Sequence, residues 1–328
     1  MTVTPIIPNL HQLTLPTPFP VGPINVYLAD GPAEPLTLFD TGVRTRTSRA
    51  VLEEGLAELG YTLADIERVI ISHAHSDHYG LAGDIVQVSG ASIYAHPHNR
   101  PMIEDYADER DRRQAAYGDL LVEAGVPEEV RTIIGQIWGQ FRRLATAVSP
   151  IHALKEGDKL QLAGQSWQVC FMPGHAGGLI CLYQPQTRLF LSNDHLLRDV
   201  SSNPLFEPPR PGQTRRRPLV DYIASLERTA ALDISVAWPG HGETIHDHRA
   251  LIQKRLTFHR RRADKILAAL QDGPQTVYAL SRALFSRLGP VDHFLVVSEV
   301  LAHLEWLEVQ GAVTSQPHNG LMLWGCKT

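Results

Sequence analysis

The chain has 328 residues, 43% of them hydrophobic and 20% charged, with a formal net charge of -5 at pH 7. This excludes a disordered or fibrous chain, is long enough for one large domain plus a small one, and gives no overall electrostatic pull toward nucleic acid or an anionic membrane. The proline-broken opening MTVTPIIPNLHQLTLPTPFP lacks the form of a signal peptide, and no segment reaches the roughly 18 apolar residues of a spanning helix, so a soluble cytoplasmic protein is expected.

In chain order, short β-branched and apolar runs predict strands at 24–29 (INVYLA), 36–40 (LTLFD), 68–72 (RVIIS) and 92–95 (SIYA), with a helix over 48–59 between the second and third. The stretch 101–147 reads as an inserted helical hairpin or trio broken at Gly125-Val126-Pro127, serving as a lid, an oligomer contact or an outer ornament. Further strands follow at 167–171 (WQVCF), 179–183 (LICLY) and 188–192 (RLFLS), then the apolar run SVAW. The mixture is that of an α/β protein with helices packed outside sheets. Cys170, Cys181 and Cys326 form neither an even disulfide set nor a C-x-x-C pair and are read as core.

From about His246 a long basic helix runs to Leu270, Asp272-Gly273-Pro274 breaks it, and helices over 276–286 and 294–309 follow. Strand-like pieces at 312–315 and 321–324, joined through Pro317-His318-Asn319-Gly320, complete three helices and a hairpin. This pattern predicts a winged-helix-like domain over 255–328, following a catalytic domain over 1–250.

The chemistry-bearing residues stand just past strand ends, where a rigid sheet presents side chains to one point. RVIIS leads into His73-Ala74-His75-Ser76-Asp77-His78; Pro173-Gly174-His175 follows WQVCF; Asp194 and His195 follow RLFLS; Pro239-Gly240-His241 follows SVAW; Asp40 closes LTLFD. Imidazole and carboxylate donors without cysteine suit zinc first, with manganese or iron as alternatives, and argue against a closed structural zinc site. One such motif among 16 histidines is easily accidental, but five in one chain are not.

In this order the five motifs closely resemble those of the metallo-β-lactamase superfamily. The resemblance implies a four-layer αββα sandwich with two divalent metal ions at one edge of the sheets. Carried over motif by motif, it implies that His73, His75 and His175 hold one ion, that Asp77, His78 and His241 hold the other, that Asp194 bridges them, and that Asp40 orients the ligands. The sequence DHYGLAG at 77–83 is similar to glyoxalase II, and Ala74 stands where the flavodiiron branch carries glutamate. Asn193 departs from the glycine of many relatives and alters the loop beside the bridge. The implied mechanism is hydrolysis by a hydroxide generated between the ions at neutral pH, with Asp77 and Asp194 acting through them.

Other residues carry weaker readings. His195 neighbours a ligand and is weighed evenly between substrate or proton-transfer work and structure. His96 and His98 follow a strand but belong to no motif of the family, and His246 and His248 read as helix-start residues. The proline-rich loop 201–218 is expected to fold over the metal edge, where Arg210, Arg215, Arg216 and Arg217 would suit an anionic substrate if they are not simply solvated. The predicted recognition helix carries Glu299, Glu305 and Glu308 without lysine or arginine, so no duplex DNA partner is expected.

With its C-terminal module the chain resembles glyoxalase II-like hydrolases, whose relatives include thioesterases and endoribonucleases. The first expectation is hydrolysis of a small acyl compound of thioester or lactone type. A single-strand ribonuclease is the alternative enzyme, favoured by the Arg loop and by His259-Arg260-Arg261-Arg262, with RNA as the partner. A nucleic-acid-binding regulator with a vestigial metal site is the alternative of another class, disfavoured by the intact ligand set. No membrane partner is expected, and a homodimer is the assembly considered.

Overall fold

The computed structural model describes residues 3–285, 289 and 292–327. The predicted helix end at Ser286 and the terminal Thr328 lie outside them.

The chain opens with β1 (Val3–Ile7), β2 (Leu10–Leu15), β3 (Ile24–Ala29) and β4 (Thr37–Phe39), followed by α1 (Arg46–Glu58), β5 (Arg68–Ile71), α2 (Ser76–Tyr79), α3 (Ala82–Ser89) and β6 (Ser92–Ala95). The insertion consists of α4 (Arg100–Glu104), α5 (Tyr106–Glu123) and α6 (Glu128–Gln140), ended by a 3-10 turn at Phe141–Arg143, and leads to β7 (Ile151–Ala153). These strands form a seven-stranded sheet in sequence order, antiparallel from β1 to β4 and parallel from β4 to β7.

A second sheet, ordered β12-β11-β10-β9-β8, contains β8 (Lys159–Leu162), β9 (Gln165–Phe171), β10 (Ile180–Gln184), β11 (Leu189–Asn193) and, after α7 (Pro218–Ala231), β12 (Val236–Pro239). Side-chain alternation along the strands builds the layers. In β3, Ile24, Val26 and Leu28 join Leu52 and Leu56 of α1 in an outer core, while Tyr27 and Ala29 face the second sheet. In β10 and β11, Ile180, Leu182, Leu189 and Leu191 enter the core between the sheets, whereas Cys181 and Phe190 pack with Leu219 and Leu226 of α7. The result is the expected sequence of helix, sheet, sheet and helix layers. Cys170 and Cys181 are buried in it as free thiols.

The remaining elements are α8 (His248–Ala269), β13 (Gln275–Thr276), α9 (Val277–Leu284), α10 (Asp292–Val309), β14 (Val313–His318) and β15 (Leu321–Cys326), with β15 paired to both β13 and β14 in a third sheet. Their core is shared with the insertion: Leu120, Leu121 and Ile134 pack in one cluster with Val277, Leu280, Val300, Leu304 and Trp324.

Two expectations need correction here. The supposed recognition helix α10 is buried on most of its circumference, and its glutamates are not an exposed acidic face: Glu305 pairs with Arg215, Glu308 with Arg217 at 2.8 Å, and Glu299 with Arg262 at 3.5 Å. Nor is 259–262 a continuous basic surface, because His259 is buried against His303 at 3.1 Å and Arg262 lies over the Phe285 ring at 4.3 Å. Among the described residues, no helix is long and apolar enough to cross a membrane.

Candidate metal centre

The seven residues picked out by their positions after strand ends converge. The loop leaving β5 carries His73 and His75, the turn of α2 carries Asp77 and His78, and the second sheet brings His175 after β9, Asp194 at the end of β11 and His241 after β12. His73 Nε2 and His175 Nε2 lie 2.9 and 3.0 Å from His75 Nδ1, so three nitrogens face one point. His241 Nε2 is 3.3 Å from Asp77 Oδ2. Asp194 Oδ2 stands between the two groups, 3.4 Å from His78 Nε2, 3.5 Å from His175 Nε2 and 3.7 Å from His241 Nε2. Their donor atoms make three groups able to hold an ion: His73 with His75 and His175, His73 with His78 and Asp194, and Asp77 with His78 and His241.

The donor set fits divalent ions on direct structural grounds. His78 Nε2, His241 Nε2 and Asp194 Oδ1 are buried without a hydrogen-bond partner, an expensive arrangement for polar atoms that have nothing to bind. Burial pushes His73 and His75 below the usual imidazole range, His75 to about 3, which leaves neutral rings with lone pairs to offer. Burial alone would raise Asp194, but the His78 and His241 imidazoles outweigh it and keep the carboxylate well below its usual range.

The rings of His73, His78, His175 and His241 are each aimed by a partner on the far nitrogen, which fixes tautomer and tilt. Asp40 Oδ2 is 2.7 Å from His78 Nδ1 and accepts from Ser72 Oγ at 2.7 Å; Ser72 Oγ is also 3.0 Å from His73 Nδ1. The carbonyls of Asn203 and Pro23 meet His175 Nδ1 and His241 Nδ1 at 3.1 and 2.8 Å. Asn25 Nδ2 and Tyr27 Oη donate to the Pro239 carbonyl at 3.1 and 2.7 Å, holding the loop of His241. Among these orienting residues Asp40 is announced by its motif; Pro23, Tyr27 and Asn203 are not, because their roles arise from long-range packing, and the only signal for Ser72 is its place directly before His73.

The backbone at the site is unusual in ways the sequence explains. Asp40 and Asn193 have φ of 61° and 43°. Aspartate and asparagine tolerate this left-handed region better than other non-glycine residues, so Asn193 satisfies the conformation for which glycine is the default. A Cβ on Gly240 would stand 2.3 Å from Asp194 Oδ1, so any side chain there would displace the carboxylate.

Other expected site residues lie elsewhere. His195 is fully buried with Nε2 2.7 Å from Thr229 Oγ1, and it belongs to none of the ligand groups; the geometry favours its structural reading over the catalytic one. His96 stacks on Phe171, and His98 pairs with Glu207 at 2.9 Å. The loop 201–218 does reach the site through Asn203. Its arginines, however, each have a carboxylate partner: Arg210 has Glu109, which Arg112 and Arg113 share, Arg215 has Glu305, Arg216 has Asp221 and Arg217 has Glu308. They face the helical layers, and the anion-binding role expected of them finds no support in this geometry.

Residues 19–241 match the Metallo-beta-lactamase superfamily. The chain is 36% identical over 311 residues to the probable metallo-hydrolase YqjP of Bacillus subtilis, covering 94% of each protein. It superposes on a metallo-beta-lactamase family protein of Thermus thermophilus with a TM-score of 0.84 and 32% identity, covering 98% of this chain and 99% of that one. A more distant relative is an atrochrysone carboxyl ACP thioesterase of Aspergillus fumigatus, 25% identical over 152 residues, or 43% of this chain and 44% of that protein. The chain belongs to the metallo-β-lactamase superfamily.

Proposed function

We propose that this enzyme, a metal-dependent hydrolase of the metallo-β-lactamase superfamily, binds two divalent ions, zinc in the first instance, and cleaves a small acyl substrate of thioester or lactone type. The observation that carries the reading is the meeting of seven donor residues from two sheets around Asp194, with His78 Nε2, His241 Nε2 and Asp194 Oδ1 otherwise unpartnered. His73, His75 and His175 would hold one ion, Asp77, His78 and His241 the other, and Asp194 both. Bound there, the ions supply Lewis-acid polarisation of a carbonyl and water acidified toward neutral pH. The protein's own work is positional: Asp40, Ser72, Pro23 and Asn203 fix the rings, and Tyr27 and Asn25 hold the His241 loop, so that little reorganisation is left for the reaction itself.

An acyl substrate is favoured over RNA because the arginines of the 201–218 loop already have carboxylate partners, and because one relative bears a thioesterase name. We read residues 255–328 as a winged-helix-like module serving as structural support, and the DHYGLAG sequence as an affinity with the glyoxalase II-like branch. The test is a comparison of the metal-loaded protein on an S-acyl-N-acetylcysteamine thioester, an acyl homoserine lactone and a single-stranded RNA. Turnover of the thioester or lactone that chelation abolishes is expected; cleavage of the RNA alone would overturn the assignment.

A further inference from the structure

The insertion ends in two aromatic side chains one turn apart, Trp138 and Phe141, with the Phe141 amide donating to the Trp138 carbonyl. Their rings make separate contacts. Phe141 meets Phe19 edge-on, with centroids 5.5 Å apart. Phe19 lies four residues before Pro23, whose carbonyl holds His241. Trp138 meets Phe294 at 5.0 Å, and Tyr117 closes the triangle at 5.2 and 4.9 Å from them. The next residue, Leu295, accepts through its carbonyl from Asn203 Nδ2 at 3.2 Å, and the Asn203 carbonyl holds His175.

Between these ends the segment is tied down over the α2 turn. Tyr106 Oη donates to the Phe141 carbonyl at 3.3 Å, and the Tyr106 ring packs against Tyr79, the residue after His78. The Arg44 amide donates to the Leu144 carbonyl at 3.0 Å. The end of the insertion is therefore linked through Phe19 to the segment whose Pro23 carbonyl meets His241, and through Phe294 and Leu295 to Asn203, whose carbonyl meets His175.

We infer that this segment is a strap across the metal centre, and that Trp138 and Phe141 form the wall selecting an apolar acyl group. The inference rests on the hydrolase reading above and specifies its substrate class. Phe19, Tyr117, Trp138, Phe141 and Phe294 are all only half-buried, so ring surface remains for a ligand. The nearby Arg112, Arg113 and Arg210 are bonded to Glu109, and the ring surfaces themselves offer dispersion and hydrophobic contact.

The experiment uses the metal-loaded full chain with p-nitrophenyl acetate, butyrate and octanoate, and with S-octyl-N-acetylcysteamine, an unreactive thioether whose binding is read from tryptophan emission. KM should fall with chain length in the native protein. In Phe141→Ala and Trp138→Ala it should rise about tenfold for octanoate, with kcat and acetate turnover little changed. Phe141→Leu, which keeps apolar volume and guards against misfolding, should fall between, and Trp138→Phe should bind the thioether with a diminished emission response. Thioether binding weakened by the alanine variants without any ester cleavage would sustain the strap and sink the hydrolase reading. Ester cleavage with a KM indifferent to chain length and to both alanine variants overturns the strap, as does failure of the native protein to bind the thioether.

Discussion

Asp40 and His78 are both shut off from solvent, and Asp40 Oδ2 lies 2.7 Å from His78 Nδ1, which turns His78 Nε2 toward Asp194. Asp40 itself is held by the Ser72 amide and hydroxyl at 2.8 and 2.7 Å. A carboxylate in this position makes the ring a stronger donor and fixes its tilt. Asp40→Asn, nearly isosteric but uncharged, should weaken zinc binding by roughly 10- to 100-fold in a chelator competition while leaving the far-UV spectrum unchanged. An unaltered affinity would show that Asp40 serves the backbone turn alone.

Asp194 stands within 3.7 Å of three imidazoles contributed by both sheets. Elemental analysis of the purified, supplemented protein should give close to two ions per chain. Asp194→Ala should lower turnover by about a hundredfold or more, with a far smaller loss of folding, since the carboxylate sets the separation of the two ligand groups. Near-native turnover with both ions retained would remove Asp194 from that role.

Glu109 receives three guanidinium groups: Arg112 at 2.9 Å, Arg113 at 3.0 Å and Arg210 at 3.0 Å. Burial opposes its ionisation, but the hydrogen bonds from Arg112, Arg113 and Arg210 prevail and hold the carboxyl at about 2. A carboxyl depressed on folding stabilises above its ordinary value and loses that contribution as pH falls through the folded one, here from about 4.5 toward about 2. Glu109→Gln should cost roughly 2 to 3 kcal/mol at neutral pH, somewhat less than breaking a fully buried pair because the arginines keep some water. Urea unfolding at several pH values checks this: the difference between native and variant should shrink toward acid, and a constant difference would contradict the sign.

The C-terminal elements should not bind duplex DNA. A reading helix must present a free face to the groove, whereas α10 buries Val297, Val300, Leu301, Leu304 and Glu305 against its neighbours. An anisotropy titration with random-sequence duplex should show no tight binding at physiological salt. Salt-sensitive submicromolar binding lost in Arg260→Ala and Arg261→Ala would refute this.

β4, β10 and β11 are legible because they are buried on both faces and therefore read as continuous apolar runs, and the candidate ligands because they stand just past strand ends. SIYA at 92–95 matches β6 residue for residue. By contrast β1 and β2 were not marked: Pro5 interrupts the first, and Leu10–Leu15 mixes polar with apolar residues on a half-covered sheet. The partners of the four arginines of the 201–218 loop, Glu109, Asp221, Glu305 and Glu308, lie on three different helices, α5, α7 and α10, whose approach no local pattern announces. The acidic character of α10 likewise looked like a surface property when it is an internal one, and the same prediction about DNA follows from a different cause.

The candidate ligands divide between the sheets: His73, His75, Asp77 and His78 come from the first, and His175, Asp194 and His241 from the second. Any ion gripped from both sides acts as a rivet. Because the unfolded chain lacks the site, occupancy shifts the folding balance by mass action, about 4 kcal/mol at a thousandfold excess over the dissociation constant. Metal starvation would then shorten the protein's lifetime as well as silence it.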